Sequence, residues 1–352
     1  MKTDWRRAAD DTSKWCLRNL WDARASRFRT ATDPTPRDLP YDVMWANGIA
    51  FSMLVGGARF DRRFYEPYMS AFFDGMNGYW DKTYNPPGYD AYLSHPGSSD
   101  KYYDDNAWMV LTFAEAFALT RDRRYLTRAE EAARFVLSGW DDKGGGVFWK
   151  QDRQSRNTCS NAPAAVGLLA LARFGDAGGR TEWARRIAAW TQKTLQDPAD
   201  GLYWDNLSTP TATVPEGRVE KSKWTYNSAL MIRAHLGLYQ RTRDQKQLAE
   251  AMRIAAASEK TFVLPETGAF CDDANFSHLL CEAFLLLWRE TKAPFLRARV
   301  ESCGTFALTR LRDPADGGYR ASWGKPSNTP EPRKTLMANA SVARLFWLLA
   351  EV

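Results

Sequence analysis

Histidine is nearly absent from this chain. Among 352 residues only His95, His235 and His278 occur, so imidazole has few places to carry protons and carboxylates are the main acid–base material. Cysteine is sparse and odd in number: Cys16, Cys159, Cys271, Cys281 and Cys303 stand far apart with no CxxC. That argues against a disulfide framework or a zinc ribbon. No run approaches ~18 uninterrupted apolar residues, so no membrane span is expected. There is no basic tail and no long like-charge block. The net charge of +6 comes from 48 basic and 42 acidic residues mixed along the chain, the pattern of a solvated surface rather than a nucleic-acid site. The stretch from Met1 to Arg7 has no apolar h-region, so no signal peptide is read. As written, the sequence points to the cytoplasm, or to a secreted or periplasmic location if a leader was trimmed. Period-2 strand patterning is poor throughout.

What is present is aromatic and helical. The chain holds 15 Trp, 14 Tyr and 18 Phe, and 44% of its residues are hydrophobic, enough for a large core without staples. Helical segments alternate between two kinds. One kind is apolar almost all round: 107–119, 164–174, 229–239, 279–288 and 342–350. Such helices are buried on most sides. The other kind is amphipathic. In 125–137 the stripe is Leu126, Ala129, Ala133 and Val136; in 181–195 it is Trp183, Ile187 and Trp190.

Two features repeat. An asparagine stands near the start of each buried helix, at Asn47, Asn106, Asn161, Asn227, Asn275 and Asn339, 48–66 residues apart. Asparagine there reads either as an N-cap or as the lining of a shared pocket. A glycine turn with aromatics follows the amphipathic helices, as in 144–149 and 200–204, and Asp-Pro-Ala-Asp-Gly occurs at both 197–201 and 313–317, an offset of 116. That offset is two modules of about 58 residues. Six such modules predict an all-α (α/α)6 toroid, one domain over 1–352, with the segments 30–40, 209–217 and 324–332 as loops. A monomer is expected.

In a ring of this kind the inner helices all start at one end, where their dipoles favour negative charge. The best candidate there is Tyr102-Tyr103-Asp104-Asp105-Asn106. Two neighbouring carboxylates cannot easily both ionise, so one becomes a proton donor and the other stays an anion, as glycoside hydrolysis requires. Adjacent residues have Cα atoms ~3.8 Å apart, which favours the ~5–5.5 Å carboxyl separation of retaining enzymes over the wider inverting one. Simple helix capping is the alternative reading of the pair. Asp272-Asp273, before the fifth buried helix, is the internal competitor. Asp10-Asp11 lies near a terminus, and Asp141-Asp142 follows an amphipathic helix, which places it at the opposite end of the ring.

Tyr103-Asp104-Asp105-Asn106-Ala107-Trp108 resembles the signature of glycoside hydrolase family 76, the α-1,6-mannanases, and Trp224-Thr225-Tyr226-Asn227 is similar to that family's W/Y-T-Y-N motif. The resemblance runs from about Tyr41 to Leu349. It implies an (α/α)6 barrel, Asp104 as nucleophile, Asp105 as general acid/base, endo-cleavage of α-1,6-mannan with retention, and export from the cell; this chemistry requires no metal or cofactor. Where the family continues Q-G after the motif, this chain has Ser228-Ala229. Aromatic faces stack on sugar rings, so Trp45, Tyr102, Tyr103, Trp224 and Tyr226 are the expected platforms. Asn47, Asn106, Asn161, Asn227, Asp272 and Asp273 are the expected polar contacts to carbohydrate. Trp149, Trp204 and Trp323 are left out of this set because they follow amphipathic helices.

Three rivals remain. A sugar epimerase of the acylglucosamine 2-epimerase type shares the toroid but relies on histidines, here His235 or His278. A zinc-dependent toroid would need ligands, and Cys271, Asp272, Asp273 and His278 match no ligand spacing. A degenerate toroid would bind glycan without turnover.

Overall fold

The computed structural model describes residues 3–95, 100–176, 178–324 and 333–352. Among these, twelve α-helices occur: Trp5–Asn19 (α1), Met44–Ala58 (α2), Arg62–Met76 (α3), Tyr103–Thr120 (α4), Arg123–Ser138 (α5), Thr158–Ala172 (α6), Arg180–Leu195 (α7), Thr225–Thr242 (α8), Gln245–Phe262 (α9), Ala274–Thr291 (α10), Pro294–Phe306 (α11) and Leu336–Ala350 (α12). The strands are short and lie in connections. Trp21–Asp22 (β1) pairs with Arg27–Phe28 (β2), and Trp80–Asp81 (β3) with Gly88–Tyr89 (β4). Ser155–Asn157 (β5), Trp204–Ser208 (β6) and Val219–Lys223 (β7) form one antiparallel sheet. The segment 209–217 is therefore the tip of a hairpin. Most of 324–332 lies outside the described residues. No helix among the described residues is long and apolar enough to cross a membrane.

The chain divides into two compact units, 79–261 and the discontinuous 1–78 with 262–352. In the first, α4, α6 and α8 pack in succession as an inner layer, with α5 and α7 against them. The layering follows composition. Fourteen of the fifteen residues of α6 are buried, against five of the sixteen in α7. Leu126, Ala129, Ala133 and Val136 form the buried stripe of α5. Trp183 and Trp190 are only half-buried, because their rings cover neighbouring connections instead: Trp183 meets Trp140 edge-on at 5.6 Å, and the Trp190 Nε1–H donates to the Gly144 carbonyl at 2.9 Å.

In the second unit α12 packs between α2 and α10, and α3 and α11 cover α2 and α10. The outer partner of α12 is α1, which precedes it by more than 300 residues. Trp5 stacks on Phe346 at 5.6 Å, and the Trp347 Nε1–H donates to the Ser13 hydroxyl at 2.9 Å. The sixth pair is completed by the first helix.

Each inner helix starts the same way. The N-cap residues Val43, Tyr102, Asn157, Trp224, Asp273 and Thr335 all have extended backbone, with ψ between 139° and 163°. The repeated asparagines are not these caps. Asn47, Asn106, Asn161 and Asn339 come four residues later, inside the first turn, and three of them clamp the preceding hairpin. The Asn106 side chain accepts from the Tyr89 N–H at 2.8 Å and donates to its carbonyl at 3.0 Å. Asn161 does the same to Val147 at 2.7 and 2.9 Å, and Asn339 to Tyr319 at 2.7 and 3.3 Å. Each clamp satisfies a buried backbone pair that no strand partner reaches.

A second fastening stands just before the cap. Lys101, Arg156, Lys223 and Lys334 each reach a hairpin aspartate: Lys101 to Asp81 at 2.6 Å and Asp90 at 2.7 Å, Arg156 to Asp141 at 2.9 Å, Lys223 to Asp197 at 2.6 Å and Asp200 at 2.8 Å, and Lys334 to Asp313 at 3.0 Å and Asp316 at 3.3 Å. The repeated Asp-Pro-Ala-Asp-Gly is the acceptor loop of two of these. In both, the glycine closes the turn at positive φ, +78° at Gly201 and +77° at Gly317. Asp141 thus belongs beside the start of α6, not at the far end of its module. The connection that leaves an outer helix is the same one that enters the next inner helix.

Candidate active site

Asp104 and Asp105 lie in the first turn of α4, after the cap residue Tyr102. Their surroundings differ. The Asp104 carboxyl is half-buried and takes three donors. The Trp149 Nε1–H donates to Oδ2 at 2.9 Å, the Cys159 thiol to the same oxygen at 3.4 Å, and the Asp105 backbone N–H to Oδ1 at 2.9 Å. Asp105 is 9% exposed, and among the described residues no donor is found for its carboxyl. Lys101, the nearest cation in sequence, is fully buried on Asp81 and Asp90 instead.

Burial raises both carboxyls. Asp104 goes up only to about 6, because its donors stabilise the anion. Asp105 goes well above the usual carboxylate range through burial and the adjacent Asp104 charge, with Asp100 adding to it. Near neutral pH the pair is one anion, on Asp104, and one proton, on Asp105.

Around the pair stand first-turn residues of the next two inner helices. Counting two residues past each cap gives Asp104, Cys159 and Tyr226. The Cys159 thiol also meets the Tyr226 phenol, and Asp205 at the start of β6 acts on both. Burial, with these carboxylates, pushes the thiol and the phenol up, so both stay protonated. Asn227 donates to Asp205 at 3.4 Å, and among the described residues its own buried Oδ1 has no partner.

The remaining candidates fall in different places. Tyr102 is half-buried and meets Trp149 edge-on at 5.0 Å, with the Lys150 ammonium 4.9 Å over its ring. Trp149 and Trp224 are each 38% exposed, so both offer ring surface to solvent. Tyr103 is buried and stacks on Phe135 at 4.9 Å, between α4 and α5, which removes it from any ligand-facing surface. Asn106 and Asn161 are committed to their clamps. In the other unit, Trp45 stacks on Phe276 at 5.5 Å, Asn47 donates to the Asp42 carbonyl at 3.3 Å, Asp272 is half-buried, and Asp273 is the exposed cap of α10. His235 pairs with Gln247 at 2.7 Å, and His278 with the Ala274 carbonyl at 2.9 Å. Among the described residues no group of three or more His, Cys, Asp or Glu is placed to hold a metal.

Trp149 is the residue that sequence reasoning placed elsewhere. The signal was present: Gly144-Gly145-Gly146 precedes it, and a connection so rich in glycine folds back. Gly145 and Gly146 have φ of +73° and +83°, and a Cβ on either would come within 2.5–2.6 Å of the Trp190 ring. The turn returns the chain to the start of α6 and aims Trp149 at Asp104.

The chain resembles known proteins in sequence and in fold. The profile of glycosyl hydrolase family 76 matches residues 4–302. The chain is similar to a family 76 α-mannanase of Bacteroides thetaiotaomicron, at 24% identity over 99% of this chain and 95% of that one, with a TM-score of 0.89. It is also similar to an α-1,6-mannanase of Salegentibacter sp. HEL1_6, at 22% identity over 99% of each chain and a TM-score of 0.84. That enzyme was solved as an inactive variant, with two consecutive aspartates replaced by asparagine, in complex with α-1,6-mannotriose. The meiotically up-regulated gene 191 protein of Schizosaccharomyces pombe is 26% identical over 208 residues, 54% of this chain, which spans about half (45%) of that relative's length. The fold class is the (α/α)6 toroid.

Proposed function

Because the chain belongs to glycosyl hydrolase family 76, and is therefore a glycoside hydrolase, we propose that it cleaves α-1,6-linked mannan internally, with retention at the anomeric carbon. The observation that carries this reading is the unequal pair: Asp104 with three donors, Asp105 with none among the described residues. The Salegentibacter enzyme, inactive when two consecutive aspartates are changed and bound to α-1,6-mannotriose, supports both the site and the linkage.

In the first step an Asp104 carboxylate oxygen attacks the anomeric carbon. The glycosidic C–O bond breaks, and the Asp105 proton passes to the leaving oxygen. In the second step Asp105, now a carboxylate, takes a proton from water. The water oxygen replaces Asp104 on the anomeric carbon and regenerates both groups. The Tyr102, Trp149 and Trp224 rings give apolar faces on which pyranose C–H faces can stack. Asp205 and Asn227 supply polar atoms for sugar hydroxyls.

Product analysis on α-1,6-mannan, with α-glucan as control, tests the substrate, and proton NMR of the first product tests the stereochemistry. The α-anomer is expected first, and an initial β-anomer would refute retention. Asp104→Asn and Asp105→Asn are each expected to lose at least about two decades of rate while remaining folded. Normal turnover by both would remove the site from these residues.

A further inference from the structure

We propose that Trp149 and Cys159 are positioning residues for the nucleophile: they hold the Asp104 carboxylate in one orientation, and Tyr226 holds Cys159. The proposal rests on the reading of Asp104 as nucleophile.

A free aspartate rotates about its terminal torsion and presents either oxygen, because that torsion is broad and roughly two-fold. Here both oxygens are held. Oδ2 receives the Trp149 indole N–H at 2.9 Å and the Cys159 thiol at 3.4 Å, while Oδ1 receives the Asp105 amide at 2.9 Å. Oδ2 therefore has both lone-pair directions occupied, and Oδ1 keeps one for bond formation. The two side-chain donors come from outside α4. Trp149 is on the connection between α5 and β5, and Cys159 is in the first turn of α6. The nucleophile is thus fastened to the neighbouring module, and a rotation of α4 alone cannot carry it away.

The chemistry of the donors fits this task. Sulfur is a weak donor with long reach. It orients the carboxylate without stabilising the anion as strongly as a hydroxyl or ammonium would, so nucleophilicity is kept. The thiol is itself held, because the Tyr226 phenol shares a hydrogen bond with it. Chained hydrogen bonds of this kind reinforce one another. Because the thiol remains protonated, Cys159 serves as donor and not as a rival nucleophile.

The test is the pH dependence of kcat/KM on α-1,6-mannan for Cys159→Ala, Cys159→Ser and Trp149→Phe. Removing a donor to the Asp104 anion moves the acidic limb to higher pH. For Cys159→Ala and Trp149→Phe the expected shift is about half a unit to one unit, with kcat down about 10-fold and KM within about 2-fold. Cys159→Ser restores an O–H donor and should bring the limb back and recover most of the lost kcat. The position of the limb does not depend on how much of a variant is folded, and Trp149, being partly exposed, provides a second variant outside the core. If the limb stays in place in both Cys159→Ala and Trp149→Phe, or if Cys159→Ser is as impaired as Cys159→Ala, the positioning role is wrong. If Trp149→Phe changes KM alone, Trp149 is only a sugar platform. Asp104→Asn separates the two levels. An active Asp104→Asn enzyme overturns the nucleophile itself, whereas an inactive Asp104→Asn enzyme together with unmoved limbs in Cys159→Ala and Trp149→Phe overturns only the positioning.

Discussion

A carboxyl group with no donor in a buried first turn is costly to ionise, and among the described residues Asp105 has none. Its cost has a sign that can be measured. In the unfolded chain an aspartate loses its proton near pH ~3.9. In the folded protein Asp105 keeps it to well above that value. Between those limits the native state binds more protons than the unfolded state, so stability falls as pH rises. Asp105→Asn removes this titration. We expect the variant to be more stable than the parent at pH 7, by about 1–3 kcal/mol, with the gain vanishing below pH ~4. Urea denaturation at the two pH values checks this. A variant equally stable at pH 7 would mean that Asp105 ionises freely. The pair itself was legible in the sequence because adjacency alone sets up the repulsion. The difference between its members was not, since it depends on Trp149 and Cys159, 45 and 55 residues away.

At the scale of elements, the start of each inner helix is more than a helix terminus. It is an extended cap residue, preceded in four of the six helices by a cation on a hairpin aspartate and followed in three by an asparagine clamp. The turn of α4 that carries the Asp104–Asp105 pair has both fastenings. Lys101 is fully buried on two carboxylates, and Asp81 is held down to about 2 by this lysine and Thr83 despite partial burial. Lys101→Met leaves Asp81 and Asp90 without their cation. The expected loss is about 3–5 kcal/mol at pH 7, and it should shrink in acid as Asp81 protonates. Chemical denaturation would show whether the clamp is structural to this degree. The helices themselves were legible, since 3.6-residue periodicity and all-round apolar composition carry the signal locally. The clamps were not. Asn106, Asn161 and Asn339 looked like caps because asparagine favours that place, but a hairpin with unpaired backbone groups outcompeted the cap. The strands also escaped notice, because most are only two or three residues long and contain too little alternation to read.

At the scale of the molecule, the six modules were countable from the offset between repeats. The identity of the sixth outer helix was not. A local period cannot announce that α12 is covered by α1, since nothing near Leu336 carries the partner's pattern. The match of Trp5 with Phe346 and of Ser13 with Trp347 is a property of the fold, not of any window of sequence.

The same pairing sets an order of assembly. The segment 79–261 holds both carboxylates and their donors, and its helices pack on sequence neighbours, so their loop-closure cost is small. It is expected to acquire structure before the discontinuous unit does. Helix α1 must wait for α12, more than 300 residues later, before it has a surface to cover. In refolding monitored by pulsed hydrogen exchange, amides of α4 to α7 are expected to gain protection before those of α1 and α12, and simultaneous protection would refute this order. The Asp104–Asp105 pair thus sits in the part of the chain expected to mature early, and α1, made before it, is expected among the last helices to find its place.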